Sequence, residues 1–397
     1  TDHPNPRVRF VGAVADIIAE LVLPCCYNQV LPVAKTCQVM VTSALARSLC
    51  FALTEKLSIP TVLVHLQPLV PTKLYPHSSD SEGCLAAISK YRANTKLTEE
   101  EASMNEQSYW TLERFQYEFL QDAIQELSSQ LDIPMLTWEV NRKILLGHNP
   151  NIYVVNSFLD QLIPATPQAL NDDASTDDDD DDDDDDTAVG PQVLYVGPLA
   201  DHYIPSDFTP DPLLQTFLEA GGNNDNDDDD DDDNQERPVC IGYGSMPYNQ
   251  VSLLLEVVYK LKRRTVLVGK ALELPKKKDD DMEENFKEWI DENVFHIQES
   301  APYAWLLPQC SMMLCHGGAG VVHATLRAGI PVVISPFMGD QFFFAPLVTQ
   351  LGLGARAGAT LAEATKDDFL QAFEAATDCI PAAREFGRRV RSETRGV

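Results

Sequence analysis

From residue 238 to the end of the chain, short runs dense in valine and isoleucine alternate with segments of helical period. PVCIGYG (238–244), RTVLVG (264–269), FHIQES (295–300), MMLCHGG (312–318) and PVVISPF (331–337) read as strands, and residues 249–262 and 319–328 as helices. Strands apolar on both faces must be covered on both faces, the condition of a parallel sheet flanked by helices. Residues 201–397 are therefore expected to form a Rossmann-like α/β domain.

Residues 1–200 repeat the alternation less cleanly: 39–42 and 61–66 read as strands, 43–56 as a helix. Across residues 110–127, Leu112, Phe115, Phe119, Ala123, Ile124 and Leu127 recur at three- and four-residue steps, which predicts a helix with that stripe facing the core. Two uninterrupted aspartate runs, 177–186 and 227–233, supply 17 negative charges of a formal net −31, leaving −14 on the rest of the chain. Such blocks repel themselves and bury no apolar area, so residues 171–187 and 221–236 are expected to be solvated loops. The acidic balance repels phosphate backbones and argues against a nucleic-acid partner.

The nine cysteines lack the paired spacing of a zinc or redox motif and read as mostly buried thiols of a reducing compartment. The apolar stretch 8–23 is interrupted by Arg9, Asp16 and Glu20, so no membrane span is expected. The chain opens on Thr1 without a signal-peptide layout, and its last residues still carry an amphipathic helical pattern, so both ends are expected to be cut.

Three turns at strand ends carry the candidate chemistry. Gly242, Gly244 and Ser245 follow the first strand of the second half; glycines there let a phosphate approach the backbone, although an ordinary tight turn has the same form. His316, Gly317, Gly318 and Gly320 stand between a strand and a helix, where unpaired N–H groups and the positive end of the helix dipole make an anion site. His316 is placed to add a donor there, whereas His323, further into the helix, reads as a core histidine. Asp340 and Gln341 follow the next strand, and an adjacent carboxylate and amide suit vicinal sugar hydroxyls, or simply cap a helix. The P-loop, the G-x-S-x-G elbow and H-E-x-x-H are all absent from the sequence.

With these residues in view, SAPYAWLLPQCSMMLCHGGAGVVHATLRAGIPVVISPFMGDQFFFAPLVTQLGLG (300–354) resembles the donor-site signature of family 1 glycosyltransferases, in particular the sterol 3-beta-glucosyltransferase branch. RPVCIGYGSMP, VLYVGPL and LQPLVPTKLYPH add to the resemblance. It implies a GT-B fold: two Rossmann-like domains with parallel sheets, the first holding the acceptor and incomplete here, the second holding UDP-glucose as donor substrate without a metal or other cofactor. On this chain it implies that Gly244, Ser245, His316 and the amides of Gly317, Gly318 and Gly320 hold the diphosphate. Backbone around Ala301 would border the uracil, and Asp340 and Gln341 would hold the hexose.

Val321 departs from the Thr or Ser usual in the family, and Ala324 replaces the ribose-binding Glu of plant small-molecule enzymes, as in the sterol branch. The family's opening Gly-rich loop, which supplies the catalytic base, has no match in residues 1–60, so the base is expected in an absent upstream segment. The implied protein is cytoplasmic, peripheral to membranes through residues 69–75, and transfers glucose to a sterol or similar lipid. A nucleotide-sugar binder lacking the base, and a GT-B UDP-sugar epimerase, remain the alternatives at this point.

Overall fold

The computed structural model describes residues 25–43, 47–65, 71–78, 80–145, 152–157, 193–196, 204–220, 237–244, 248, 250–270, 272, 274–275 and 283–393. Both aspartate runs, Ser245, residues 1–24 and residues 66–70 lie outside the described residues. The chain divides into two compact units, Thr1–Gly197 and Pro198–Val397.

The first unit holds four parallel strands in the order β1-β2-β3-β4: β1 (Met40–Ser43), β2 (Thr61–His65), β3 (Ile152–Ser157) and β4 (Val193–Val196). Among the described residues its helices of eight residues or more are α1 (Arg47–Leu57), α2 (Ser81–Arg92), α3 (Glu99–Leu131) and α4 (Trp138–Leu145). The helix expected from residue 43 does not include Ser43, which pairs with Val64 as the last residue of β1, and it is described from Arg47.

α3 runs for 33 residues. Thr98 and Glu101 cap each other's backbone amides at its start, at 3.2 and 3.0 Å, and Asp132 ends it in the left-handed conformation with φ 54°. The apolar stripe expected to face the core does so only in part. Ile124 and Leu127 are buried, Leu112, Phe119 and Ala123 half-buried, and Phe115 is 53% exposed. The buried face instead carries Asn105, Tyr109, Glu113 and Tyr117. The reason is non-local: Arg47, at the start of α1, forks onto both carboxylate oxygens of Glu113 and donates to Gln116 Oε1 at 3.0 Å. A buried carboxylate tolerates that position because its counter-charge is buried with it.

The second unit is a six-stranded parallel sheet: β5 (Val239–Gly242), β6 (Thr265–Val268), β7 (Val294–Ile297), β8 (Met312–Cys315), β9 (Val332–Ile334) and β10 (Gly354–Arg356). The helices of eight residues or more among the described residues are α5 (Pro212–Glu219), α6 (Val251–Lys260), α7 (Glu284–Asn293), α8 (Ala319–Ala328), α9 (Gln341–Gln350), α10 (Lys366–Asp378) and α11 (Ile380–Glu393). Every residue of β5, β6, β8 and β9 is buried, as expected of strands covered on both faces. Val239, Ile241, Leu314 and Val333 pack with Leu254 and Val258 of α6 and with Phe369 and Phe373 of α10. Each such side chain contributes about 1.5–3 kcal/mol.

The strand order is β10-β9-β8-β5-β6-β7. The chain leaves β5 toward one edge through β6 and β7, then returns to pair β8 on the other side of β5. That reversal opens a crevice outside the carboxyl ends of β5 and β8, where open α/β sheets receive ligands.

The cysteines are free thiols, of which Cys26, Cys84, Cys240, Cys310 and Cys315 are buried and Cys25, Cys37, Cys50 and Cys379 half-buried. Among the described residues no helix is long and apolar enough to cross a membrane.

Candidate functional site

Register brings the three glycine-bearing turns together. Gly242, the last residue of β5, pairs with Cys315, the last of β8, and Cys315 pairs with Ile334, the last of β9. The segments after each strand therefore leave the sheet side by side at the reversal point.

Gly244 has φ +59°, and a Cβ built on it would lie 3.5 Å from His316 Cε1, so the first two turns touch. Gly317 has φ +92°, with Ile334 Cγ2 only 2.5 Å from where a Cβ would sit; a side chain there is excluded both by conformation and by space. This turn folds the His316 ring back over the start of α8, where its Nε2 lies 2.8 Å from the Cβ position of Gly318. Close approach of the ring to the helix end thus depends on glycine at 318.

His316 is half-buried, and its Nδ1 is enclosed without a hydrogen-bond partner among the described residues. Burial lowers its pKa, so the ring is neutral near pH 7 and offers one N–H and one lone pair rather than a charge. Gly318 is the N-cap of α8 and contributes no side-chain cap. Asp340 reaches across from the third turn, its Oδ2 accepting from the amide of Ala319 at 3.2 Å. Gly320 is exposed, with open space where a Cβ would be, and Val321, third in the helix, is half-buried.

Desolvation raises the pKa of Asp340, against hydrogen bonds from the amides of Ala319, Asp340 and Gln341. Gln341 is buried, and its Oε1 accepts from the amides of Phe337 at 2.6 Å and Met338 at 2.9 Å. Its carbonyl is thereby committed to its own turn, and the side-chain NH2 is the group left to meet a ligand. Phe337 and Met338, 44% and 41% exposed, form an apolar lip beside it. Ala301 is half-buried at the head of the helical turn Tyr303–Leu306, and the Tyr303 hydroxyl stands 2.8 Å from the Cβ position of Gly242. The structure therefore brings together Gly244, His316, Gly317, Gly318, Gly320, Val321, Asp340 and Gln341; Ala301 is two residues from Tyr303, whose hydroxyl meets the Gly242 turn, and Ser245 lies outside the described residues. His323 is 3% exposed and meets the Phe344 ring edge-on, a core position.

Sequence reasoning singled out Asp340 as a sugar ligand or helix cap, but not as the residue that caps the neighbouring helix α8. It also missed Tyr303 and, in the first unit, the buried cluster of Arg47, His65, His77 and Glu113. Nothing in local spacing flags that cluster, since Arg47 and Glu113 are 66 positions apart. Burial, reinforced by the Arg47 charge, pushes the pKa of His65 down to about 3 and that of His77 to about 4. Both are neutral in the folded state while the unfolded chain protonates them near 6.5. Stability is thus fully present above pH 6.5 and falls below it, by about 1.4 kcal/mol per pH unit for each histidine. Urea titrations between pH 7 and 5 are expected to show this slope, and His65→Leu to remove about half of the pair's contribution. A pH-independent midpoint would show that these rings are not held neutral.

The fold and site define an α/β protein with a glycine-lined crevice at a sheet reversal. Residues 274–395, within the second unit, match the profile of the erythromycin biosynthesis protein CIII-like carboxyl-terminal domain. The chain is similar to the sterol 3-beta-glucosyltransferase of Yarrowia lipolytica, at 35% identity over 195 residues, covering 47% of this chain and 12% of that protein. It is also 37% identical over 128 residues to sterol 3-beta-glucosyltransferase UGT80B1 of Arabidopsis thaliana, covering 30% of this chain and 18% of that one. The chain thus spans less than a fifth of either relative in alignment. Among solved structures, a UGT transferase from Siraitia grosvenorii in complex with UDP superposes with a TM-score of 0.54 at 13% identity, over 93% of this chain and 83% of that one. The fold is GT-B.

Proposed function

We propose that the protein transfers glucose from UDP-glucose to the hydroxyl of a sterol or similar lipid, with inversion, at the cytoplasmic face of a membrane. The observation that carries this reading is the convergence of the His316 turn, the α8 amides and the Asp340–Gln341 pair at the sheet reversal. The similarity to sterol 3-beta-glucosyltransferases supports the acceptor class, and the UDP bound by the Siraitia grosvenorii neighbour supports the donor.

In this reading the acceptor oxygen attacks the anomeric carbon, the bond from that carbon to the β-phosphate oxygen breaks, and its electron pair departs on UDP. The acceptor's proton passes to a base whose identity is not assigned. Charge developing on the diphosphate meets the amides at the start of α8 and the His316 N–H, without recourse to a metal ion. Asp340 and the Gln341 NH2 group orient the hexose hydroxyls. Ser245 completes the phosphate contact, and backbone at Ala301 borders the uracil.

Calorimetric titration with UDP and UDP-glucose tests the donor site. Micromolar affinity, about −8 kcal/mol, is expected for the chain as it stands. Removal of one phosphate donor in His316→Ala is expected to weaken it about tenfold or more, with an unchanged circular dichroism spectrum. Equal affinity in the variant would remove His316 from the site, and no binding by the folded chain would overturn the donor reading.

A further inference from the structure

The first unit holds a pocket that none of the residues assigned to the donor site lines. A pocket of about 130 Å³ lies between α1, the last turn of α3, residues 133–136, α4 and the first residue of β3. Phe51, Ala52, Ile133, Leu136, Ile144 and Ile152 supply its apolar wall. It occupies the gap between two small core clusters, one around Leu53, Leu127 and Leu131 and the other of Phe51, Leu63, Ile144 and Ile152. Because Ile152 opens β3, the pocket is at the amino-terminal end of the sheet, opposite the strand ends where α/β sheets take their reacting ligands.

A second observation points to an occupant. Ser128 lines the pocket, is 2% exposed, and its hydroxyl has no hydrogen-bond partner among the described residues. A helical serine ordinarily turns its hydroxyl onto the carbonyl one turn back. A buried hydroxyl left unmade is destabilising, and such groups are retained where something else completes them. The volume sets the size of that partner: an apolar cavity of about 150 Å³ admits a benzene ring. Charge sets its type. Glu55 stands at the rim, so an anionic head is repelled.

We propose that this pocket binds one small uncharged molecule, a single hydrocarbon ring or short branched chain bearing one oxygen that accepts from Ser128 Oγ. A whole sterol exceeds the space. The site is independent of the nucleotide crevice, and its test does not depend on the transferase reading.

Cyclohexanol is the neutral probe and cyclohexanecarboxylate the charged one, each titrated into the full chain by ligand-observed NMR and by thermal melting. Saturable binding of cyclohexanol with a Kd of about 1 mM or tighter is expected, with a melting midpoint that rises with its concentration. The carboxylate should bind about tenfold more weakly. Ser128→Ala should weaken cyclohexanol about threefold to tenfold. Ala52→Phe fills the cavity, and Val140→Trp, at a 40% exposed position on its wall, blocks it without entering the core; each should abolish saturation. If Ala52→Phe fails to fold, the reading is taken from Val140→Trp. UDP affinity should be the same in all variants. Absence of saturable binding to the folded chain, or binding unchanged by both Ser128→Ala and Val140→Trp, would overturn the proposal.

Discussion

Replacing Glu113 with alanine is expected to destabilise the first unit by about 3–5 kcal/mol, enough to consume most of the stability of an ordinary domain. Arg47 and Glu113 are 4% and 1% exposed, and the guanidinium spends both its terminal nitrogens on Glu113 and Gln116. Removing the carboxylate leaves a buried cation that cannot shed its proton and has only an amide oxygen for company. Burial raises the pKa of Glu113 even against the Arg47 charge, which shows how strongly desolvation opposes ionisation at this point. The pair need not be stabilising in total for its disruption to be severe. Arg47→Met combined with Glu113→Leu is therefore expected to recover most of the loss. Urea denaturation of the two single variants and the double variant measures this directly. A loss below about 1 kcal/mol in Glu113→Ala would mean that solvent reaches Arg47.

Asp340→Ala is the second large effect, and it falls on activity. The carboxylate accepts from the Ala319 amide through Oδ2, and in the proposed reading it also receives a hexose hydroxyl. Loss of a charged hydrogen bond in a desolvated site is expected to lower kcat/KM by about a hundredfold, about 3 kcal/mol. Stability should fall by only about 1 kcal/mol, the worth of one helix-capping contact. Steady-state transfer assays beside thermal melts separate the two. Unchanged activity would return Asp340 to the role of a cap, and a loss of activity matched by unfolding would do the same.

The sequence made the second unit legible because its signals are local. A strand that turns into glycine and then into a helix needs only a dozen residues to declare itself, and α8 spans the Ala319–Ala328 expected of it. Strand ends were less legible, since pairing sets them. The strand expected over residues 295–300 forms at Val294–Ile297, because the ladder with β6 ends at Val268 and Ile297 and closes on the Gly269 amide, which donates to the Ile297 carbonyl at 2.9 Å. α3 shows the limit most clearly. Its period identified a helix, but Phe115 lies outward and Glu113 inward because the answering charge sits on α1, at a distance that periodicity does not see. At the site, the residues were readable and their hydrogen bonds were not. No pattern announces that Asp340 serves the helix of another turn, or that Gln341 spends its carbonyl on residues 337 and 338.

The level alignment of Gly242, Cys315 and Ile334 has a consequence for how such a crevice can change over evolutionary time. Deleting one residue inside β8 would draw His316 back by about 3.3 Å and turn its ring toward the opposite face of the sheet. Lengths of these strands are thus frozen as a set, as the teeth of a comb are fixed by its spine. Length added before these strands, away from the three turns, leaves the alignment as it is. Insertions, however long or highly charged, are tolerated wherever they leave that alignment intact.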